Sequence, residues 1–382
     1  MSRAELPVPS DEALLESAAL VAKIRSEIAA AGGWIDFARY MDLALYAPGL
    51  GYYSAGSLKI GAAGDFVTAP ELSRSFGSAI ALTLDAELSA LGASDVIELG
   101  AGTGALAAQL LDTFAMLGRE VRYWILEPSA DLRQRQQRAL EAHAAKIAWI
   151  DRLPEKPLTA VVVANEVLDA LPVSHFTIED GEPRALGVVV DGEGFGWGAG
   201  RADARLTAAV GTIEQALQRA LPNGYRSEAC LVLPAWFAAL GAALERGSLL
   251  FVDYGLTRSD YYHEQRAAGT LVCHYRHRVH DNPFAYPGLQ DITAWVDFSA
   301  CADAASAAGF EVAGFTTQGQ YLLSLLAALP PELAVDLKSP REQSAMKTLI
   351  LPGEMGERFK VLLLRKGVRG PELPGKDFRY RL

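Results

Sequence analysis

Val96-Ile-Glu-Leu-Gly-Ala-Gly-Thr-Gly-Ala-Leu106 is the stretch of sequence that decides the fold. It begins as a short, mostly apolar strand, turns through glycines at positions 100, 102 and 104, and continues as a helical pattern. Glycine permits a tight turn and a close approach of the backbone to a ligand, and the free N–H groups at the start of a helix favour an anionic group. We therefore expect the glycine loop, residues 100–104, to bind a nucleotide-like ligand beyond a buried strand.

Two classes of protein use a loop of this kind. The spacing Gly100-x-Gly102-x-x-Ala105 fits the dinucleotide fingerprint of nicotinamide-dependent enzymes. The acidic residue Glu98, two places before the first glycine, and the third glycine at position 104 favour the other class. This pattern resembles motif I of class I methyltransferases, which predicts S-adenosyl-L-methionine as the cofactor. The residues expected near it are Glu98, Gly100, Ala101, Gly102 and Gly104, with a loop cap as the alternative for Glu98.

Short apolar runs and helical patterns alternate after residue 95. The apolar runs are 96–99, 123–126, 160–164 and 249–252, and the helical patterns are 105–118, 130–143 and 208–220. Unbroken apolar runs are typical of parallel strands buried on both faces, and their alternation with helices indicates a doubly wound, Rossmann-like α/β sheet. Two later runs, 311–317 and 358–364, could pair antiparallel and close the sheet at one edge.

The segments around this core predict two additions. Helical patterns over residues 11–32, which follow Ser10 as an N-cap, and over residues 72–91 predict an N-terminal helical cap. Strand-like pieces within 173–200 are separated by Asp-Gly pairs, which predicts a β-hairpin insertion. The expected domains are a cap over residues 1–94 and a methyltransferase core over residues 95–382, with insertions at about 173–230 and 256–300.

The composition excludes several classes of protein. Half of the 382 residues are apolar (50%), so the chain can bury a substantial core and wholesale disorder is excluded. The net charge of −11 argues against a nucleic-acid-binding surface, and no apolar run reaches the roughly 18 residues of a transmembrane helix. The three cysteines stand far apart, and the first residues show no targeting pattern. We therefore predict a cytoplasmic protein without a nucleic-acid partner or membrane insertion.

The end of the second apolar run carries a further candidate for the cofactor site. Glu127 and Pro128 follow this run directly. An acidic side chain at this position can bind the two hydroxyls of a ribose. A carboxylate on the surface after a strand is the alternative.

A glycine-flanked loop over residues 64–71 precedes the core. Such a segment can close over a cofactor and exclude water, although a plain connection with a helix cap is the alternative. We expect Thr68 and Pro70 to contact the cofactor, and Asp65 and Phe66 to face the substrate.

An acidic loop, residues 165–169, follows the third apolar run. Asn165, Glu166 and Asp169 place one amide and two carboxylates beyond a strand end, where open α/β sheets carry out their chemistry. Carboxylates there can orient a nucleophile and accept its proton, so these three residues are the predicted catalytic residues. The alternative is that they cap the next helix or lie in its first turn.

Five motifs together resemble a known family. They are Gly64-Asp-Phe-Val-Thr-Ala-Pro-Glu71, Glu98-Leu-Gly-Ala-Gly-Thr-Gly104, Asn165-Glu-Val-Leu-Asp-Ala-Leu-Pro172, Val252-Asp-Tyr-Gly255 and Gly288-Leu-Gln-Asp-Ile-Thr-Ala-Trp-Val-Asp-Phe298. Over about residues 30–365 the chain is similar to the MidA-like family, which includes the mitochondrial complex I assembly factor 7 and bacterial relatives. The resemblance implies a class I methyltransferase fold, S-adenosyl-L-methionine, and methylation of an arginine in a partner protein. For the mitochondrial member that partner is a subunit of respiratory complex I.

The segment after the run 249–252 is expected to face the substrate. Its residues 260–281 are dense in aromatic, arginine and histidine side chains, which suit acidic or backbone parts of a protein. The predicted substrate-binding residues are Tyr254, His274, Arg276, His277 and Asp291, with a solvated loop as the alternative and, for Asp291, the cap of a helix over 293–298. Histidines at every third position from 274 to 280 invite a metal, but arginines interleave them and no cysteine cluster accompanies them, so no metal is predicted.

Other functions stay open on the sequence alone. A non-catalytic assembly factor could bind the cofactor and a partner, and a methyltransferase could act on a small molecule, since the sequence does not reveal the width of the cleft. The ambiguous glycine loop also leaves a nicotinamide oxidoreductase open. A homodimer is compatible with the sequence, which offers no argument for one.

Overall fold

A computed structural model describes residues 6–54, 67–334 and 336–382, so Asp65 and Phe66 lie outside the described residues. The chain forms two compact units. The first comprises the described residues of Met1–Phe66, Ala170–Val232 and Arg258–Trp295; the second comprises those of Val67–Asp169, Leu233–Thr257 and Val296–Leu382. Each unit is therefore assembled from three separate segments. The division at residue 94 predicted from the sequence is a different one and stays a prediction.

The strands are numbered in chain order. They are β1 (Ile35–Asp36), β2 (Asp95–Leu99), β3 (Arg122–Leu126), β4 (Ile147–Ile150), β5 (Leu158–Asn165), β6 (Ser174–Glu179), β7 (Glu182–Asp191), β8 (Gly194–Arg201), β9 (Arg226–Ala229), β10 (Leu244–Leu256), β11 (Val272–Tyr275), β12 (Arg278–His280), β13 (Asp291–Thr293), β14 (Val296–Asp297), β15 (Glu311–Thr317) and β16 (Phe359–Lys366).

The α-helices are numbered in the same way. They are α1 (Asp11–Ala30), α2 (Phe37–Tyr46), α3 (Ala69–Leu72), α4 (Arg74–Leu91), α5 (Ala105–Met116), α6 (Ala130–Ala139), α7 (Ala204–Leu217), α8 (Leu233–Ala243), α9 (Arg258–Tyr261), α10 (Phe298–Ala307), α11 (Gln318–Leu326), α12 (Pro340–Ile350) and α13 (Met355–Arg358). Within the described ranges, none of these helices has the length and apolar character needed to cross a membrane.

The second unit is built on a sheet with the strand order β15-β16-β10-β5-β2-β3-β4. The pairs from β10 to β4 are parallel, whereas β16 runs antiparallel to both β10 and β15. Side chains of the central strands are buried, and those facing α4 and α5 belong to one hydrophobic core with them. This sheet confirms the doubly wound architecture and the antiparallel edge that the sequence predicts.

The strand order of this sheet reverses between β2 and β5. Strands β3 and β4 continue outward from β2, whereas β10 lies on the other side of β5. Doubly wound sheets bind ligands beyond the carboxyl ends of their strands at such a reversal. Because the glycine loop follows β2 and the acidic loop begins at the end of β5, the topology brings both loops to this point.

The first unit is mostly antiparallel. Its larger sheet has the order β1-β7-β6-β9, with β8 paired to β7, and a three-stranded sheet has the order β12-β11-β13. The predicted hairpin insertion is confirmed as the meander β6-β7-β8, and the predicted N-terminal helix as α1, whose Ser10 cap accepts the N–H of Ala13. The strand pairs extend beyond a hairpin because β1 and β9 join from distant parts of the chain.

Two local predictions from the sequence need correction. Strand β4 was not predicted, although its residues 147–150 are all apolar; in the structure they are partly exposed. The helix considered over residues 293–298 is wrong, and Asp291 is not a helix cap but lies in β13. Asp297 caps α10 instead, where its carboxylate accepts the N–H groups of Ser299 and Ala300.

One buried ion pair joins helix and sheet in the second unit. Glu87 of α4 and Arg365 of β16 are 1% and 8% exposed, and the guanidinium contacts both carboxylate oxygens. The hydroxyl of Ser248 in β10 also donates to Glu87. Removing one partner of such a pair leaves a buried charge without compensation.

Replacing Arg365 by methionine should therefore lower the free energy of unfolding by about 3–5 kcal/mol. The control is Arg74→Met, which breaks an exposed ion pair with Asp112 (N–O distance 3.0 Å) and should cost less than about 1 kcal/mol. Urea denaturation measures both values. Equal losses in the two variants would contradict the assignment of Glu87–Arg365 as a structural pair.

Candidate functional site

The glycine loop has the backbone that its sequence predicts. Gly100, Gly102 and Gly104 have φ angles of +64°, +53° and +87°, a region that other residues enter at a cost. Gly104 is the N-cap of α5, so the first N–H groups of this helix point away from its body toward the loop. A Cβ atom on Gly100 would lie 3.0 Å from Cγ2 of Val167, which packs the glycine loop closely against the acidic loop.

Glu127 lies at the end of β3 and is 5% exposed. Its carboxylate accepts the N–H of Ser129 at 2.9 Å and the side-chain amide of Gln136 at 3.0 Å. The same amide donates to the carbonyl of Gly102 at 3.1 Å, so Gln136 ties the predicted ribose-binding acid to the glycine loop. Burial raises the pKa of Glu127, and these hydrogen bonds partly offset the rise. Pro128, the next residue, is exposed.

Gln136 was missed by the sequence analysis. It lies on α6 and is completely buried, with Trp149 of β4 donating to its carbonyl oxygen at 3.1 Å. A glutamine in a polar helix carries no signal of such a role. The role is visible only in the folded structure, where α6 and β4 hold Gln136 between the glycine loop and Glu127.

Glu98 points into the interior beside β3. It is 2% exposed and accepts a hydrogen bond from the hydroxyl of Tyr123 at 2.8 Å. Burial raises the pKa of Glu98 to about 7, although the bond from Tyr123 acts in the opposite direction. Its role at the cofactor stays a prediction.

Thr68 and Pro70 lie at the start of the short helix α3. The N–H of Thr68 donates to Glu71 at 3.5 Å, and the carbonyl of Pro70 accepts from Gln109 of α5 at 2.6 Å. The described end of the predicted lid is thus a capped helix held against α5. Contact of these two residues with the cofactor stays a prediction.

The acidic loop turns sharply at the end of β5. Glu166 has a φ angle of +53°, an unfavourable conformation for a residue with a side chain, of order 1–2 kcal/mol. Its N–H donates to the carbonyl of Val252 at 2.9 Å, and its carboxylate accepts from the amide of Asn165 at 3.0 Å. The Oδ1 atom of Asn165 is buried and has no hydrogen-bond partner among the described residues, which leaves an acceptor available for a ligand.

Asp253, one residue after Val252 on β10, was also missed. It is 1% exposed, and one of its oxygens accepts the N–H groups of Val167, Leu168 and Asp169 at 3.1, 2.9 and 3.3 Å. Burial, together with the nearby charges of Asp169 and Glu166, raises the pKa of Asp253 well above its usual range. The pairing of Val252 with Asn165 explains this proximity, since it places Asp253 of β10 beside the residues that follow the end of β5.

Tyr254 follows Asp253 in the same strand and packs against Phe359, with ring centroids 5.5 Å apart. The remaining predicted substrate residues belong to the first unit. His274 of β11 is paired with Asp291 of β13, and the hydroxyl of Tyr53 donates to Asp291 at 2.9 Å. The structure therefore brings His274 and Asp291 together. Burial, followed by the nearby His280, lowers the pKa of His274.

Arg276 and His277 form the two-residue turn between β11 and β12. Their φ angles are +47° and +59°, as a type I′ hairpin turn requires. The guanidinium of Arg276 lies over the ring of Tyr275 and donates to the carbonyl of Val8 at 3.3 Å. Across the described ranges, no group of three or more histidine, cysteine, aspartate or glutamate residues is arranged to hold a metal ion.

A buried carboxylate organises the segment that contains these residues. Glu228 of β9 is 1% exposed and accepts from the N–H and hydroxyl of Thr270 and from the hydroxyl of Tyr261, at 3.0, 3.1 and 3.3 Å. His175 lies 3.2 Å from its other oxygen. Thr270 in turn accepts the N–H of Trp295 at 3.1 Å. Glu228 thus connects distant parts of the segment 258–295, a role that its sequence context does not indicate.

Comparison with known sequences identifies a family and relatives. Residues 79–316 match a family described as "Putative S-adenosyl-L-methionine-dependent methyltransferase". A Drosophila melanogaster protein named protein arginine methyltransferase NDUFAF7 homolog, mitochondrial, is 29% identical over 97% of this chain and 90% of its own length. The Danio rerio protein arginine methyltransferase NDUFAF7, mitochondrial, is 29% identical over 86% of this chain and 83% of its own length.

Comparison with solved structures agrees. A Burkholderia thailandensis protein bound to S-adenosyl-homocysteine has a TM-score of 0.90 and 43% identity, over 99% of this chain and 100% of the other. A native structure from the same organism has a TM-score of 0.88 and 42% identity, with the same shares covered. The Drosophila and Danio relatives are named as mitochondrial proteins, which overturns the cytoplasmic location predicted from the cysteine spacing and from the absence of a membrane span and a targeting pattern.

The residues of the second unit fit S-adenosyl-L-methionine. The glycine loop turns through three glycines of positive φ, and α5 begins directly beyond it with its first N–H groups toward the loop. The buried carboxylate of Glu127 is an acceptor for hydroxyl groups, and Oδ1 of Asn165 is a further acceptor without a partner in the described chain. When bound, this cofactor supplies a methyl group on a cationic sulfur, which suits an acidic site.

Glu98 should make stability depend on pH. Because its pKa in the folded state is about 7, above the ordinary value of 4.5, the folded chain holds a proton that the unfolded chain releases between these values. This contribution to stability is complete below about pH 4.5 and is lost as the pH rises through 7. The wild type should therefore lose about 2–3 kcal/mol of its free energy of unfolding between pH 4.5 and 8, a loss that Glu98→Gln should not show. Urea denaturation at a series of pH values measures both. The control Glu120→Gln changes a side chain that is 90% exposed, and parallel pH profiles for wild type and Glu98→Gln would contradict the assignment.

Three observations lead to one conclusion. The family matches more than half of the chain, the class I fold is shared with a structure bound to S-adenosyl-homocysteine, and the site at the strand ends fits the cofactor. They also confirm the resemblance to the MidA-like family noted from five motifs. The cofactor of this family is S-adenosyl-L-methionine. The chain belongs to the family of S-adenosyl-L-methionine-dependent methyltransferases.

Proposed function

We propose that this methyltransferase transfers the methyl group to an arginine side chain of a partner protein. The observation that carries the proposal is the concentration of three carboxyl groups, those of Glu166 and Asp169 beyond the end of β5 and that of Asp253 on the neighbouring strand β10. Such a cluster is costly unless a cation offsets it. A guanidinium is a cation that also forms paired hydrogen bonds with carboxylates.

The chemistry of arginine fits these residues. A guanidinium keeps its proton up to a pKa of about 13.8, so methyl transfer needs a carboxylate that orients the nitrogen and accepts its proton. We assign this task to Glu166 and Asp169, with Asn165 as a neutral hydrogen-bond partner. Gly100, Gly102 and Gly104, with Ala101, would hold the methionine part of the cofactor and Glu127 its ribose.

The relatives support a protein as the acceptor. The Drosophila and Danio proteins are named protein arginine methyltransferases, and they match most of this chain at 29% identity. In our proposal the pair His274 and Asp291 and the turn Arg276-His277 bind the partner protein. A subunit of respiratory complex I is the partner that the MidA-like resemblance favours, and a homodimer stays a prediction.

Glu166→Gln should abolish detectable methyl transfer, a loss of at least about 100-fold, and leave the affinity for S-adenosyl-homocysteine within about threefold. The neutral amide keeps the size of the side chain but cannot accept the proton. Transfer is measured from radiolabelled S-adenosyl-L-methionine into a lysate of cells that lack this protein, with mass spectrometry of any labelled band. The control is Glu155→Gln, whose side chain is 79% exposed.

The distribution of the label decides among the functions. One labelled protein with methylarginine would support the proposal and name the partner. Label confined to small molecules would replace it by a metabolite methyltransferase. No label from a protein that binds S-adenosyl-homocysteine would favour a non-catalytic assembly factor.

Gln136→Leu should weaken the binding of S-adenosyl-homocysteine by about tenfold, as measured by calorimetry. The substitution removes the amide that connects the carbonyl of Gly102 with the carboxylate of Glu127. Gln215→Leu on the exposed face of α7 is the matched control and should bind as the wild type does. Unchanged affinity in Gln136→Leu would argue against Glu127 as the ribose-binding residue.

A further inference from the structure

The backbone of the acidic loop is held by one side chain. Strands β5 and β10 are parallel, and Val252 of β10 is paired with Asn165, the last residue of β5. The N–H of Glu166 donates to Val252, and the chain then turns at Glu166 with a φ angle of +53°. The three N–H groups that follow converge on one carboxylate oxygen of Asp253.

The hydrogen bonds of Asp253 fix its orientation as well. Its second oxygen accepts the N–H of Tyr254 at 2.9 Å, so both oxygens are engaged and the side chain cannot rotate freely. Successive N–H groups around one acceptor oxygen form a nest, a compact arrangement that depends on the acceptor. Without that acceptor, the three N–H groups would be buried without partners and the turn at Glu166 would relax.

We propose that Asp253 is the positioning residue of the methyl-transfer site, holding Glu166 and Asp169 in the geometry in which they meet the methyl acceptor. The inference rests on the proposed function and adds a residue to it. Asp253 acts through the loop, since its oxygens are occupied by backbone N–H groups and Glu166 and Asp169 flank the turn that it holds. A displacement of about 1 Å in such groups can slow a reaction by about 100-fold.

The test uses the full chain with Asp253→Asn, since Asp253→Ala risks loss of folding. The amide oxygen of asparagine is a weaker, uncharged acceptor, and its NH2 group faces the N–H of Tyr254. We expect hydrogen exchange of the amides in residues 166–170 to rise at least about tenfold and methyl transfer into the lysate to fall about 100-fold. Affinity for S-adenosyl-homocysteine should stay within about threefold.

Asp95→Asn is the matched control. Asp95 is a buried aspartate of the same sheet, 4% exposed, and accepts hydrogen bonds from Trp124 and Arg122 at the opposite ends of the strands. Its replacement should leave exchange in residues 166–170 and methyl transfer unchanged. Unchanged exchange in Asp253→Asn, or a loss of transfer equal to that in Asp95→Asn, would overturn the proposal.

The proposed function and the role of Asp253 can be refuted separately. Exchange and calorimetry with S-adenosyl-homocysteine do not require the methyl acceptor. If the wild type labels no protein, the proposed function falls, whereas faster exchange confined to residues 166–170 in Asp253→Asn still supports Asp253 as the residue that holds the loop. If Glu166→Gln transfers methyl groups normally while Asp253→Asn does not, Asp253 does not act by positioning Glu166, and the proposal is refuted.

Discussion

The parallel pairing of β5 with β10 is the constraint on which the acidic end of the sheet depends. Its register places Asn165, the last residue of β5, beside Val252, so that Asp253, the next residue of β10, lies where the chain leaves β5 at Glu166. A shift of one residue would reverse the faces of the side chains and move Asp253 away from the N–H groups that it accepts. The buried apolar runs that form these strands therefore also determine the geometry of the polar loop beyond them.

The arrangement of the acidic loop has an unfavourable free energy in the absence of a ligand. Three carboxyl groups stand close together, Glu166 has a strained backbone, and the pKa of Asp253 is raised by burial and by the charges of Asp169 and Glu166. Such features persist where the surrounding structure enforces them, and they are concentrated at functional sites. A cationic group bound there would relieve the repulsion among these carboxyl groups.

The sequence predicted those parts of the molecule that depend on local pattern. The glycine loop, the central strands and the meander β6-β7-β8 follow from glycine positions, apolar runs and Asp-Gly turns. Gln136, Asp253 and Glu228 could not be predicted in this way, because each acts on residues far away in sequence through strand register or helix placement. Strand β4 is a different case, because its residues 147–150 are all apolar and the local pattern was present in the sequence.

Glu228 and Asp253 show that each unit uses the same physical device. In each case a buried carboxylate accepts backbone N–H groups or hydroxyls of a segment that carries predicted functional residues. The buried pair Glu87–Arg365 differs, because the cation there compensates the charge and the contacts join core elements. A carboxylate that accepts several N–H groups fixes the backbone of an irregular segment more directly than apolar packing can, since hydrogen bonds are directional. Buried carboxylates of this kind are therefore the features that give precise geometry to segments without regular secondary structure.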